Sequence, residues 1–217
     1  MSWALLADLP PGDVRELMQM ARRRTFSKGE VVFHEGDPAD SLHLIEKGRF
    51  AVRTRTPLGD TALLAIHGPG TAFGELALLT DQAKRSATVA ALEVGETRSV
   101  FRDDFLHLQR RHPGVNEILL RLLAEQLRRT NERLLEAHYI DADTRVRRRL
   151  RDLATLYRTG DGPVTVPLTQ EELAEMAGTS RATVNRVLRE DEERGTVELQ
   201  RGRTLVIDHE ALTKRAG

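Results

Sequence analysis

The chain of 217 residues contains no cysteine. Because disulfides, thiolate metal sites and iron–sulfur clusters all need cysteine, each of these is excluded. An excess of charge of one sign is also lacking, since 33 Lys and Arg residues balance 33 Asp and Glu residues. A chain that is basic throughout, as many nucleic-acid binders are, is thereby excluded, whereas a local basic surface is not.

Long apolar runs are missing as well, because no segment approaches the roughly 18 consecutive apolar residues of a membrane-spanning helix. The first residues carry no basic region, and Asp8 interrupts their apolar run. We therefore expect a soluble, cytoplasmic protein without a membrane partner. The hydrophobic content of 40% suffices for the cores of one large domain or two ordinary ones.

Short β-rich runs separated by glycine-containing turns occupy the region from about residue 23 to 100. Their even spacing indicates a β-sandwich or barrel. A short helix over 11–20 precedes them, and another is predicted near 102–110. The β-rich runs are 31–33, 42–45, 50–52, 62–66 and 87–89.

The segment from Phe73 to Val89 combines groups suited to a small phosphate ligand. Gly74 lets the backbone approach a ligand closely, and Glu75 can accept hydrogen bonds from a sugar hydroxyl. Arg85 offers a planar fork of donors to phosphate oxygens, and Ser86 adds a hydroxyl. Each piece alone is typical of an ordinary loop or surface, so the prediction depends on their combination.

Together these residues resemble the phosphate-binding cassette of the cyclic nucleotide-binding domain. That domain belongs to the superfamily of cyclic AMP receptor proteins and fumarate-nitrate regulators, and the resemblance is closest to the first branch. It implies that Glu75 holds the ribose 2′-hydroxyl and that Arg85 and Ser86 hold the cyclic phosphate. The residues implied to cap the pocket are Gly74, Leu76 and Ala77.

A long helix is predicted from Pro113 to about Tyr139, and it carries an apolar seam at alternating steps of three and four residues. The seam predicts a parallel homodimer; the alternative is a helix that packs on its own domain. Asp141 and Asp143 then interrupt the helical pattern, which predicts a hinge. The seam consists of Leu120, Leu123, Leu127, Thr130, Leu134 and Ala137.

Residues 168–194 have the spacing of a helix-turn-helix, with Gly178 at the turn. The stretch 178–186 resembles the recognition-helix motif of the same superfamily. Arg181 and Arg186 are expected to pair with guanine in the major groove. A predicted β-hairpin, the wing, places Arg201 and Arg203 near its tip. The other residues predicted to contact DNA are Thr169, Thr179, Ser180, Thr183 and Asn185.

One residue departs from the superfamily pattern, because Ala182 stands where a glutamate is usual. Alanine cannot accept a hydrogen bond from cytosine, so we expect tolerance at one base pair of the half-site. The sequence of the DNA site is therefore left open.

The resemblance places Thr130 and Asn131 where adenine is contacted, which favours cyclic AMP (cAMP) over cyclic GMP as the effector. Thr130 can also be only a polar residue that sets the register of the seam. Cyclic di-GMP, haem, for which His67 would be one candidate ligand, or no effector at all stay as alternatives.

No nucleophile–base pair and no convincing ligand spacing among His34, His43 and His67 is present, so neither an enzyme nor a metal site is predicted. A nucleotide-binding adaptor is a further alternative. The predicted fold is α+β, with a jelly-roll-like β-roll domain (1–112), a dimerisation helix (113–140) and a winged helix-turn-helix (141–217). The expected partners are a second copy, a pseudo-palindromic DNA duplex and RNA polymerase.

Overall fold

A computed structural model describes Trp3, Leu6 and residues 10–56, 59–79, 83–112 and 116–217. The chain divides into two compact units, residues 1–129 and 130–217. The predicted borders at 112 and 140 stay predictions. None of the helices in the described part is long and apolar enough to cross a membrane.

The first unit is a β-roll flanked by helices. Its strands form two four-stranded antiparallel sheets, with the orders β1-β8-β3-β6 and β2-β7-β4-β5. The strands are β1 (Arg22–Phe26), β2 (Val31–Phe33), β3 (Ser41–Lys47), β4 (Phe50–Arg55), β5 (Thr61–His67), β6 (Ala72–Phe73), β7 (Thr88–Ala91) and β8 (Gly95–Phe101). The helices are α1 (Pro11–Met20), a 3₁₀ helix (Glu75–Leu78), α2 (Arg102–Arg111) and the start of α3 (Asn116–Tyr139).

Strand β3 contributes side chains to two hydrophobic cores, one on each of its faces. Leu42 and Leu44 pack with Phe105 and other residues of the helices, whereas Ile45 packs with Phe50 and the apolar residues between the sheets. Both faces of β3 are buried from Ser41 to Ile45, and the polar side chains of Ser41 and His43 are buried together with the apolar ones.

The β-rich prediction is confirmed, but three strands have no counterpart among the predicted runs. Strand β1 begins with three arginines and is exposed over its first four residues, so it lacks an apolar pattern. In β8 the side chains of Thr97 and Ser99 are fully buried although they are polar. Strand β6 has only two residues.

The second unit contains the end of α3, four further helices and a small sheet with the order β10-β11-β9. Helix α4 begins after Asp141, whose Oδ1 accepts a hydrogen bond from the Thr144 amide at 2.9 Å. The predicted interruption at 141–143 therefore coincides with a helix N-cap. The elements are α4 (Ala142–Tyr157), β9 (Val164–Val166), α5 (Gln170–Ala177), α6 (Arg181–Glu193), β10 (Val197–Gln200), β11 (Arg203–Val206) and α7 (His209–Arg215).

Helices α5 and α6 confirm the predicted helix-turn-helix. Thr169 and Glu172 form a reciprocal capping box at the start of α5, and Gly178 ends the helix with a φ of 61°. Ser180 then caps α6 by accepting a hydrogen bond from the Thr183 amide at 3.1 Å. Strand β9 and helix α7 were not predicted. The predicted start of the long helix at Pro113 lies outside the described residues.

Candidate functional site

The first candidate site lies where the 3₁₀ helix follows β6. Gly74 precedes that helix with a φ of 83°, in the left-handed region that favours glycine. A Cβ atom at this position would lie 2.7 Å from Nη1 of Arg85 and 2.9 Å from the Ser41 carbonyl oxygen. Both the conformation and the close approach therefore require glycine.

Arg85 is held in a fixed position beneath this turn. Its side chain is only 4% exposed. Nη1 donates to the Ser41 carbonyl oxygen at 2.7 Å, and Nη2 donates to Ser41 Oγ at 3.0 Å and to Asp40 Oδ1 at 3.1 Å. The guanidinium also lies 4.0 Å above the Phe33 ring, a cation–π contact.

The electrostatics of Arg85 suit an anion. Burial lowers the pKa of Arg85, and the nearby carboxylate of Asp40 opposes that shift. Arginine nonetheless keeps its charge in proteins. Its Nε is buried and has no hydrogen-bond partner within the described part of the chain. The site thus presents a buried, preoriented positive charge with one donor unused.

The remaining cassette residues surround this arginine in different ways. The Gly74 carbonyl oxygen lies 3.5 Å from Arg85 Nη1, and Glu75 is half-buried and close enough to interact with the Arg85 charge. Ala77 is fully buried, whereas Leu76 is 39% exposed. Ser86 directly follows Arg85 and is exposed.

A buried histidine lies beside Ser41 and was not predicted to belong to this candidate site. His43 stacks on Phe73 with ring centroids 5.0 Å apart and contacts Thr97 Oγ1 through Nδ1 at 3.1 Å. Its Nε2 lies 3.4 Å from Ser41 Oγ. Burial, reinforced by the charge of Arg85, lowers the pKa of His43 to about 3. The imidazole is therefore neutral near pH 7.

Sequence reasoning also missed the three residues that hold Arg85, namely Phe33, Asp40 and Ser41. They lie more than 40 positions before it in the chain, so no local motif links them to it. Thr130 and Asn131, predicted to contact adenine, are both exposed and belong to the other compact unit.

Helix α3 exposes the predicted seam. Leu120 is 66% exposed, Leu127 62% and Leu134 56%. Leu123, Thr130 and Ala137 are exposed as well. Leu135 and Tyr139, which were not predicted to belong to the seam, are exposed too, with exposed fractions of 58% and 80%. A helix face of exposed leucines is typical of an interaction surface.

The second candidate site is the exposed face of α6. Arg181 is exposed, and its side chain forms no hydrogen bond or ion pair with any residue that the structure describes. Arg186 differs, because Nη2 donates to Asp143 Oδ1 at 2.5 Å and Nη1 donates to Glu190 Oε1 at 2.8 Å. Hydrogen bonds to these two carboxylates raise the pKa of Arg186.

The other predicted DNA contacts have roles inside the protein. Thr169 is engaged in its capping box, and the hydroxyls of Ser180 and Thr183 lie 3.0 Å apart. The Thr179 amide donates to the Ala174 carbonyl oxygen at 3.1 Å. Asn185 Nδ2 donates to Gln170 Oε1 at 3.0 Å and so links α6 to α5.

The wing forms as predicted, from the antiparallel pair β10 and β11. Arg201 is exposed in the turn beside Gly202, which has a φ of 73°. Arg203 is exposed too, and its Nε donates to Gln200 Oε1 at 2.6 Å. Two guanidinium groups therefore lie at or beside the tip of the hairpin.

An unpredicted arginine ties the hinge to the helix-turn-helix. Arg145 Nη1 donates to the Ile140 carbonyl oxygen at 2.8 Å, just before α4. Its Nε donates to the Ala177 carbonyl oxygen and its Nη2 to that of Gly178, both at 3.0 Å. One side chain thus joins the segment after α3 to the turn that precedes α6.

The two parts of the chain that carry these candidate sites match known families. The cyclic nucleotide-binding domain family matches residues 23–112, and the Crp-like helix-turn-helix domain family matches residues 144–215. The fold and the two sites therefore define a transcription regulator with a cyclic nucleotide-binding domain and a DNA-binding helix-turn-helix, not an enzyme. The chain belongs to the CRP/FNR family of transcription factors.

Individual relatives align with this chain over almost its whole length. The chain is 36% identical over 209 residues to the CRP-like cAMP-activated global transcriptional regulator of Mycobacterium tuberculosis, covering 95% of this chain and 93% of that protein. It is 39% identical over 199 residues to the cyclic AMP receptor protein of Thermus thermophilus, covering 91% and 89%. The solved catabolite activator protein of Thermus thermophilus superposes with a TM-score of 0.56 at 36% identity, covering 98% and 97%.

Proposed function

We propose that the protein is a homodimeric transcription regulator whose binding to DNA is controlled by cAMP held at Arg85. The observation that carries this proposal is the buried guanidinium, fixed by Ser41 and Asp40 beneath the Gly74 turn. A guanidinium that is already fixed in place loses little freedom when it binds a phosphate, and the Nε–H of Arg85 is left as a donor for it.

The remaining parts of the nucleotide have candidate partners. Glu75 is proposed to accept from the ribose 2′-hydroxyl, while the Ser86 hydroxyl donates to the phosphate. Leu76 and Ala77 cap the pocket. Thr130 and Asn131 are proposed to bond the adenine amino group, one from each subunit of the dimer. The relatives from Mycobacterium tuberculosis and Thermus thermophilus are named for cAMP, which supports this choice of effector.

The dimer is proposed to form along the exposed apolar face of α3. Burying a seam of leucines between two helices releases their apolar surface from water, at about 25 cal/mol per Å². Each subunit then supplies one α6. Arg181 and Arg186 of both copies are proposed to read guanines in successive major grooves, about 34–36 Å apart, of a pseudo-palindromic duplex.

Control is proposed to run through the segment at 140–143. Effector contacts on α3 bias the orientation of the α3–α4 junction, which Arg145 ties to the turn before α6. A ligand shifts such an equilibrium only by its difference in affinity between the two states. A contact with RNA polymerase and a cytoplasmic location, where bacterial DNA lies, complete the proposal.

Calorimetric titration of the purified full chain with cAMP tests the effector, with cyclic GMP and cyclic di-GMP as comparisons. We expect cAMP to bind most tightly and Arg85→Lys, which keeps the charge without the fork, to bind it much more weakly. Arg110→Ala, which removes an exposed arginine of α2, serves as the charge control and should bind cAMP normally. Normal cAMP binding by Arg85→Lys would refute the pocket.

A further inference from the structure

The two arginines proposed to read bases on α6 differ in their freedom. The side chain of Arg181 has no hydrogen-bond or ion-pair partner among the residues that the structure describes. Arg186 has both terminal nitrogens occupied, one by Asp143 at 2.5 Å and the other by Glu190 at 2.8 Å. Asp143 lies outside the helix-turn-helix, in the first turn of α4.

Both terminal nitrogens of Arg186 are among the donors that can recognise guanine, and each already donates to a carboxylate. A bidentate contact with guanine O6 and N7 needs two parallel N–H donors from the same guanidinium. The ion pairs with Asp143 and Glu190 orient the guanidinium towards these two carboxylates, and we infer that a bidentate contact with a base needs a different orientation. Asp143 and guanine therefore compete for one side chain.

Hydrogen bonds fix the backbone around Asp143 relative to α6. The Asp143–Arg186 contact is therefore supported by the backbone and not only by the positions of its two side chains. The N-cap Asp141 accepts a hydrogen bond from the Thr144 amide and sets the start of α4. Arg145 then bonds to the carbonyl oxygens of Ala177 and Gly178, immediately before α6. The Asp143 side chain is 31% exposed and short, which limits its alternatives.

We propose that Asp143 is a positioning residue for DNA recognition, which holds the Arg186 fork away from bases so that specific binding must first break this ion pair. The proposal rests on the proposed role of Arg186 as a base reader. The segment at 141–143 would then affect DNA recognition directly, because the free energy needed to break the Asp143–Arg186 ion pair reduces the sequence-specific affinity that Arg186 provides.

The test compares duplexes and variants in the presence of saturating cAMP. Wild-type protein and Arg186→Ala each select sequences from a randomised duplex pool. One base pair is expected to be selected by the wild type but not by Arg186→Ala. The altered duplex is the selected duplex with that base pair alone changed. Fluorescence anisotropy then gives the affinity of each variant for the selected and the altered duplex.

We expect Asp143→Asn to bind the selected duplex about two- to fivefold more tightly than the wild type, the range for loss of an exposed ion pair. Its affinity for the altered duplex should stay near that of the wild type. In the Arg186→Ala background the gain should vanish. Asp161→Asn, which removes the same charge from an exposed loop of this unit, should give no preferential gain.

Several results would overturn the proposal. An unchanged affinity of Asp143→Asn would do so, as would an equal gain on both duplexes or a gain that persists with Arg186→Ala. If Arg186→Ala selects the wild-type sequences, the base-reading role itself fails and this proposal fails with it. Thermal denaturation of every variant, with Asp143→Ser as a second replacement, separates these results from unfolding.

Discussion

Gly74 and Arg85 occupy adjoining space that no larger residue at position 74 could share. A Cβ atom on residue 74 would lie 2.7 Å from Arg85 Nη1, a distance that real Cβ contacts essentially never show. The turn that carries the 3₁₀ helix and the buried guanidinium are thus matched to each other. The phosphate-binding geometry of the proposed pocket depends on this match.

Substitution of Gly74 separates this contact from backbone strain. Gly29 has the same φ of 83°, but a Cβ there would meet no atom within 4 Å. We therefore expect Gly29→Ala to cost only the left-handed conformation, about 1–2 kcal/mol in the free energy of unfolding. Gly74→Ala should cost more and also weaken cAMP binding, because Arg85 must move. Equal losses of stability and normal cAMP binding in both variants would contradict this.

The pKa of His43 predicts a dependence of stability on pH. Burial lowers this pKa from 6.5 to about 3, so the unfolded chain binds a proton in this range that the folded protein excludes. The contribution of neutral His43 to the free energy of unfolding is therefore fully present well above pH 6.5 and is lost as the pH falls towards 3. The loss between pH 6.5 and 5.5 is roughly 1 kcal/mol.

Denaturant unfolding at several pH values measures this effect. His43→Phe keeps a ring against Phe73 but removes the titrating group, so its stability should change less over this range than that of the wild type. His107→Gln, which replaces an exposed histidine of α2, is the control and should follow the wild type. Identical pH profiles for all three proteins would contradict the assignment.

The exposed seam of α3 predicts the oligomeric state. Leu127→Glu would place two carboxylates in the apolar interface of the proposed dimer, where burial without a partner is strongly unfavourable. We expect a monomer by light scattering at concentrations where the wild type is a dimer. Arg129→Glu, on the face that carries the Glu125 ion pairs, should stay a dimer. A monomeric wild type would contradict the proposal directly.

Removal of the Arg181 side chain tests its proposed role in reading a base. We expect Arg181→Ala to lose about 1–3 kcal/mol of specific DNA binding and its preference at one base pair. Arg194→Ala, which removes an exposed arginine just after the opposite end of α6, should keep that preference. Selection from randomised duplexes measures both. An unchanged preference in Arg181→Ala would show that this side chain reads no base.

Local motifs in the sequence indicate where the two candidate sites lie. The cassette and the helix-turn-helix are short, and their capping and turn residues act on near neighbours, as Ser180 does on Thr183. The partners of Arg85 could not be predicted, because Asp40 and Ser41 reach it only through the sheet arrangement. Strand β1 was not predicted because its three consecutive arginines lack the alternation of apolar and polar residues that is typical of a strand.

The occupied state of Arg186 was equally beyond sequence reasoning. Its i+4 partner Glu190 is visible in the sequence, whereas the contact with Asp143 joins residues 43 positions apart. Neither distance nor geometry of that pair follows from helix periodicity. His43 shows the same limit, because its neutral state results from burial between strands and not from its neighbours in sequence.

Control of DNA binding by cAMP at Arg85 is tested by the affinity for a selected duplex with and without saturating cAMP. We expect cAMP to tighten binding by the wild type about 5- to 150-fold, the usual range of allosteric coupling. Arg85→Lys should show no such gain while keeping its basal DNA affinity. Equal wild-type affinity with and without cAMP would show that cAMP does not control DNA binding.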